Sequence, residues 1–158
     1  AVEPLIEALG DSERTVRRFA VKLLGRLGDE RALEPLGMLL YDMHYDVGRT
    51  AATALARFGD PGLKILAEAL HHPEPWLRQH AIAGLSLSGD KRITPVLLEM
   101  LEDPEREVMK QVIQSLGKLK DERALPALQA IAADRRDEEM VTLARQALEV
   151  MQSKPSNL

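Results

Sequence analysis

The chain has 158 residues, a formal charge of −4 and no cysteine, which excludes disulfides and thiolate metal sites and gives no net pull towards nucleic acid or anionic lipid. Its apolar residues are mostly Leu, Ala, Val and Ile, with only two Phe, two Tyr and one Trp, and no stretch alternates with a strand's period of two. No apolar run is long enough to cross a bilayer as a helix, and a cytoplasmic setting is the expectation.

The chain opens at Ala1 inside a helical pattern, AVEPLIEAL, without an initiator Met, as expected of a piece of a longer array or of a processed chain. The polar stretch 10–14 ends that helix, and a second is predicted over 15–27. Two helices joined by a short loop make one αα-hairpin. After Gly28-Asp29 the plan repeats, with helices over 32–40 and 47–58 around the loop YDMHYD. The third copy opens at Asp60-Pro61-Gly62 and turns at His72-Pro73-Glu74-Pro75, where the prolines lack the N–H that a continuing helix requires. The fourth turns at Asp103-Pro104-Glu105, and the fifth at the charged run 134–139, ending near Gln152. Residues 153–158 read as a flexible tail, leaving one repeat domain over 1–152 with copies at about 1–28, 29–59, 60–89, 90–120 and 121–152.

The copies are exact enough to count. The break Gly28-Asp29 recurs as Gly59-Asp60 and Gly89-Asp90 and, weakened, as Lys120-Asp121, so the aspartates are spaced 31, 30 and 31 residues apart. Before each break stands the same apolar triplet: Val16, Ala20, Leu24; Val47, Ala51, Leu55; Leu77, Ala81, Leu85; Val108, Val112, Leu116. A fifth copy is Met140, Ala144, Leu148. A lone hairpin cannot bury both apolar faces, so the copies must stack. Counting from the Val16-type residue as zero, positions 4, 7, 8 and 11 form the packing arc: Ala20, Leu23, Leu24, Leu27, then Ala51, Ala54, Leu55, Phe58.

These motifs resemble the short HEAT-like repeats named after phycobilisome bilin lyases. The resemblance rests on Gly28-Asp29-Glu30-Arg31-Ala32-Leu33-Glu34-Pro35-Leu36, on Asp121-Glu122-Arg123-Ala124-Leu125-Pro126, and on Asp11, Val16, Arg17, Ala20, Leu24 and Gly25. It implies an all-α fold, a right-handed α-solenoid of about five stacked HEAT-like hairpins, with second helices lining a concave groove. It also implies an inter-repeat ladder of Asp and Arg. Here that ladder is expected from Asp11 with Arg17, while Gly48, Met109 and Val141 stand where other copies would carry the arginine. The family has no single activity, so function must come from the surface.

On the face opposite the packing arc lie positions 2, 3, 6 and 10 of each second helix, and none of these twenty places is acidic. Seven are cations: Arg18, Lys22, Arg26, Arg49, Arg57, Lys110 and Lys118. His80 and Ala83 fall on the same face, and Leu143 and Val150 make its far end apolar. The first helices instead carry Glu3, Glu7, Glu34, Glu68, Glu99 and Glu102. A basic inner wall and an acidic outer face are therefore predicted, and a concave wall of one sign draws a ligand of the other. The simplest alternative is a solvated face.

A second candidate patch gathers Tyr41, His44, Tyr45, His72 and Trp76, with stacking expected to set His72 beside Asp42 and Glu74 beside His44. Metal binding there lacks any HExxH-like spacing, and no cofactor is implied. Ser86, Ser88 and Ser115 have no matched His and acid, so no catalytic residue is singled out. The leading expectation is a non-catalytic protein–protein interaction scaffold holding an acidic segment of another protein. A bilin-lyase or chromophore-handling subunit follows, with nucleic-acid binding last for want of aromatic interleaving.

Overall fold

The computed structural model describes residues 2–153; Ala1 and all but the first residue of the expected tail lie outside the described residues. Among these the chain is entirely helices, short 3-10 turns and loops, without strands. It is an all-α fold of the α-solenoid class, built of five helical hairpins that divide between two compact units, Ala1–Ser88 and Gly89–Leu158.

The first unit contains α1 (Val2–Ala8), α2 (Arg14–Leu27), α3 (Leu33–Leu39), α4 (Tyr45–Leu55), α5 (Asp60–Ala69) and α6 (Pro75–Ser88). The second helices stack in chain order, α2 on α4 and α4 on α6, and each first helix packs back against its own partner. In the second unit α7 (Thr94–Glu99) packs on α8 (Arg106–Leu119), α9 (Leu125–Ala133) packs on α10 (Glu138–Gln152), and α8 lies along α10.

The apolar repeat positions become the core. Leu24, Leu36, Leu40, Leu55, Leu66, Leu77, Ile82 and Leu85 are fully buried in the first unit, and Leu97, Ile113, Leu116 and Leu128 in the second. Leu27 differs from expectation: it is the last residue of α2, just before the chain turns away, and is 54% exposed.

The recurrent break works in two steps. Gly28, Gly59 and Gly89 take positive φ of 67°, 61° and 66°, which glycine enters without the penalty of a Cβ. Gly28 is in the left-handed helical conformation, and Lys120, standing in for glycine in the weakened copy, takes it too at φ 51°, whereas Gly59 pairs its positive φ with ψ of −144°. In three of the four breaks the following Asp accepts the backbone N–H two residues on, as Asp29 does from Arg31 (3.0 Å), Asp90 from Arg92 (2.9 Å) and Asp121 from Arg123 (3.0 Å). Each of those arginines also folds its guanidinium onto the same carboxylate. The aspartate thereby caps a 3-10 turn that leads into the next first helix. That turn explains why α3 begins at Leu33, with Glu30–Ala32 wound as 3-10 helix before it.

Candidate functional site

The inner faces of α2 and α4 meet in a concavity of about 340 Å³ in the first unit. Its floor is Gly25 and Ala54. A Cβ built on Gly25 would lie 2.8 Å from the Ala54 Cβ, so the two helices come together only because Gly25 has none. One wall is Lys22 and Arg26; the other is Arg49, Thr50, Thr53 and Arg57, the last from the 3-10 turn Ala56–Phe58 that continues α4. Thr50 and Thr53 donate their hydroxyls to the carbonyls of Asp46 (2.6 Å) and Arg49 (3.1 Å) of their own helix. No carboxylate lines the concavity. Lys22, Arg26, Arg49 and Arg57 are all exposed, and none has an ion-pair partner among the described residues.

The other expected groove residues behave differently. Arg18 gives its guanidinium to Asp46 at 3.2 Å, so it is not the free cation that its face suggested. Lys110 is held between Glu139 (2.7 Å) and Glu107 (3.1 Å), which raise its pKa, and Arg106 beside it binds both Asp137 and Glu139. The inner wall of the second unit is therefore charge-compensated at Lys110. Lys118 is exposed, Leu143 half-buried and Val150 41% exposed, all on that unit's second helices.

The ladder arginine also finds an unexpected partner. Arg17 is buried, and its Nε and Nη2 donate to Asp42 of the next copy at 2.7 and 3.0 Å, a bidentate fork. Asp11 contributes its backbone carbonyl (2.8 Å) rather than its carboxylate, beside the Ser12 carbonyl at 3.0 Å. Burial works against the charge on Asp42, but the Arg17 guanidinium and the His44 amide outweigh it and hold the carboxyl below its usual range. His44 Nδ1 sits 3.0 Å from Arg17 Nη2, so this member of the expected recognition patch belongs to the clasp.

The rest of that patch divides in two. His72 meets the Tyr41 ring edge-on at 5.5 Å. Tyr45 and Trp76 instead bracket His80, with ring centroids at 4.5 and 5.6 Å. His80 was expected on the open face; it is fully buried, and neither ring nitrogen has a hydrogen-bond partner among the described residues. Desolvation, aided by the positive charge of Arg49, pushes its pKa down to about 4. Ala83, expected on the same face, is buried too. The space for His80 is made by Gly48, where a Cβ would lie 2.8 Å from His80 Nε2.

The outer layer is less uniformly acidic than its sequence. Leu33, Gly37, Met38, Tyr41 and Ile65 form an apolar groove of about 610 Å³ with Glu34 at its edge, and Met38 is 69% exposed. No group of His, Asp or Glu among the described residues is placed to hold a metal ion. Ser86 and Ser88 donate to carbonyls of their own helix at 2.7 and 2.6 Å. No helix among the described residues is long and apolar enough to cross a membrane.

Stacked hairpins with a Gly-Asp break and a small-residue seam define a helical-repeat protein of the HEAT type. A family model for HEAT repeats matches residues 2–86 and again 63–149, and the chain belongs to that family. No curated protein matches it in sequence. In structure it is similar to the complex of CpcE and CpcF of phycocyanin lyase from Nostoc sp. PCC7120, at TM-score 0.68 and 22% identity over 98% of this chain and 66% of that one. It thus spans just under two thirds of that chain's length. Human deoxyhypusine hydroxylase is similar at TM-score 0.56 and 21% identity, over 96% of this chain and 73% of that one. An engineered protein is similar at TM-score 0.57 and 24% identity, over 98% and 82%. At these identities the likeness is one of fold.

Proposed function

We propose that this protein is a non-catalytic interaction module whose basic concavity, between α2 and α4, holds an acidic segment of another protein. One observation carries the reading: Lys22, Arg26, Arg49 and Arg57 converge on a single concavity that no carboxylate lines. Gathering like charges without an internal counterion raises the energy of the empty protein, and an anionic ligand relieves it. Arg18 and Lys110 on the same kind of face are paired with Asp46 and Glu139, and the four cations that converge on one concavity without an acid mark where a ligand is expected.

The test is charge reversal at Lys22, Arg26 and Arg57 together, all exposed and outside the core, so the fold is retained and circular dichroism checks that it is. Binding of a poly-glutamate peptide, read by fluorescence anisotropy at low salt, is expected to fall at least about a hundredfold, since each reversal both removes an attraction and adds a repulsion. Unchanged affinity in a folded variant removes the proposal.

A further inference from the structure

The first copy leaves one stacking face uncovered. Within each unit, positions 3 and 7 of a second helix face back onto the copy before it. His80 lies over Gly48, Ala54 over Gly25 and Ala147 over Gly117. Positions 0 and 11 continue the same stripe of the helix. At position 0, Val47, Leu77 and Met140 are all buried. In α2 this stripe is Val16, Phe19, Leu23 and Leu27, and it has no copy before it among the described residues. Val16 is 39% and Phe19 64% exposed, and together with Leu5 and Ala8 of α1 they line an apolar groove of about 390 Å³. The groove shares no residue with the basic concavity.

Charge says what fits there. Between the first two copies, the buried Arg17 is held by the Asp42 carboxylate, with His44 Nδ1 beside it, and Asp42 is fixed by accepting the His44 amide at 2.8 Å. The first copy has the same turn one repeat earlier, where Asp11 accepts the Glu13 amide at 2.8 Å. Asp11 Oδ2 has no partner among the described residues, and an exposed Glu13 carboxylate stands where the second copy has His44. Two acids thus border the uncovered stripe at the place where an arginine from a preceding copy would arrive.

We infer that this edge is an interaction surface for the end of another HEAT-type array. The hairpin it takes carries an arginine at position 1 of its second helix, directed at Asp11 and Glu13, and a glycine at position 9, opposite Leu23. A second copy of this chain, stacked head to tail, does not meet that description: α10 has Val141 and Glu149 at those positions.

A tethered hairpin stands in for the partner's end at high effective concentration. In a tandem chain, residues 1–31 are placed a second time ahead of Ala1. The added Arg31 then leads into Ala1-Val2-Glu3-Pro4-Leu5 as the native one leads into Ala32-Leu33-Glu34-Pro35-Leu36. The added copy supplies both required residues, Arg17 and Gly25. Its docking is expected to shift the Val16 and Leu27 methyl and Phe19 ring signals of the original copy in NMR spectra. Asp11→Asn in the original copy keeps an acceptor for the Glu13 amide. It is expected to lower the melting temperature of the tandem chain by at least about 5 °C, and that of the native chain by no more than about 2 °C. An added copy that stays unstructured, or an Asp11→Asn effect equal in the two chains, overturns the inference. The native chain is expected to sediment as a monomer; self-association abolished by Phe19→Glu would mean that a second copy covers this edge, and would overturn it too.

Discussion

The buried histidine of α6 supplies the sharpest quantitative test. His80 is fully buried between Tyr45 and Trp76 with no hydrogen-bond partner among the described residues, and its pKa is pushed down to about 4 by desolvation and by Arg49. In the unfolded chain it titrates near an ordinary 6.5. Between these values the unfolded state binds a proton that the folded state does not, so stability falls as pH drops below 6.5 and the loss levels off below about 4. Integrated from pH 7 to pH 4.5, the linkage amounts to about 2 kcal/mol. Urea unfolding of the native protein and of His80→Leu, each at both pH values, isolates the effect, because the other titrating groups are common to the two. The native protein is expected to lose about 2 kcal/mol more than the variant over this interval. An equal loss in both proteins would mean that His80 is hydrated or paired in solution, and would refute its assignment as a dry core residue.

Two further predictions concern the seams between copies. Arg17→Ala leaves the buried Asp42 carboxylate without its guanidinium and is expected to cost about 3–5 kcal/mol in urea unfolding at neutral pH; Asp42→Asn introduced alongside should recover part of that loss, and no recovery would mean that the Asp11 and Ser12 carbonyls matter more than the ion pair. Gly48→Ala would ordinarily gain about 1 kcal/mol in a helix interior, but here the new methyl meets His80 and, at 2.8 Å, the Leu40 carbonyl oxygen, so a lowered melting temperature is expected in place of a raised one.

Much of the fold was legible because its signals are local and repeated. The Gly-Asp stop, the apolar triplet and the prolines of the turns each act within a few residues, and five copies of one pattern leave little room for a different reading. Even Lys120, a poor residue for the left-handed turn, sits in it because its neighbours follow the repeat. The four cations of the concavity were also legible, since helical spacing alone assigns Lys22, Arg26, Arg49 and Arg57 to one exposed face. What escaped the sequence lies between copies. Asp42 takes Arg17 from 25 residues away, and His80 leaves the open face because a glycine 32 positions earlier makes room for it. Whether a repeat position is exposed depends on the size of the residue opposite it in the adjacent copy, and no single-helix periodicity contains that information.

The same dependence explains why the unpaired charge collects where it does. Both compensated cations on the inner face, Arg18 and Lys110, occupy position 2, near the start of a second helix. Each is met by the acid at position −1 of the next copy's second helix, Asp46 for Arg18 and Glu139 for Lys110. Arg49 occupies position 2 as well, but position −1 of the copy after it is Trp76, which packs against His80 and offers no carboxylate. Lys22, Arg26 and Arg57 lie at positions 6 and 10, about one and two helical turns beyond the reach of any acid at position −1. The first unit therefore keeps four bare cations for two separate geometric reasons: an aromatic where the pairing acid would stand, and distance along the helix. Substituting a handful of surface acids elsewhere would not neutralise them, because the repeat itself places the available carboxylates at the wrong height. Charge that the fold cannot compensate internally must be compensated from outside, by salt at low affinity or by an anionic partner at higher affinity.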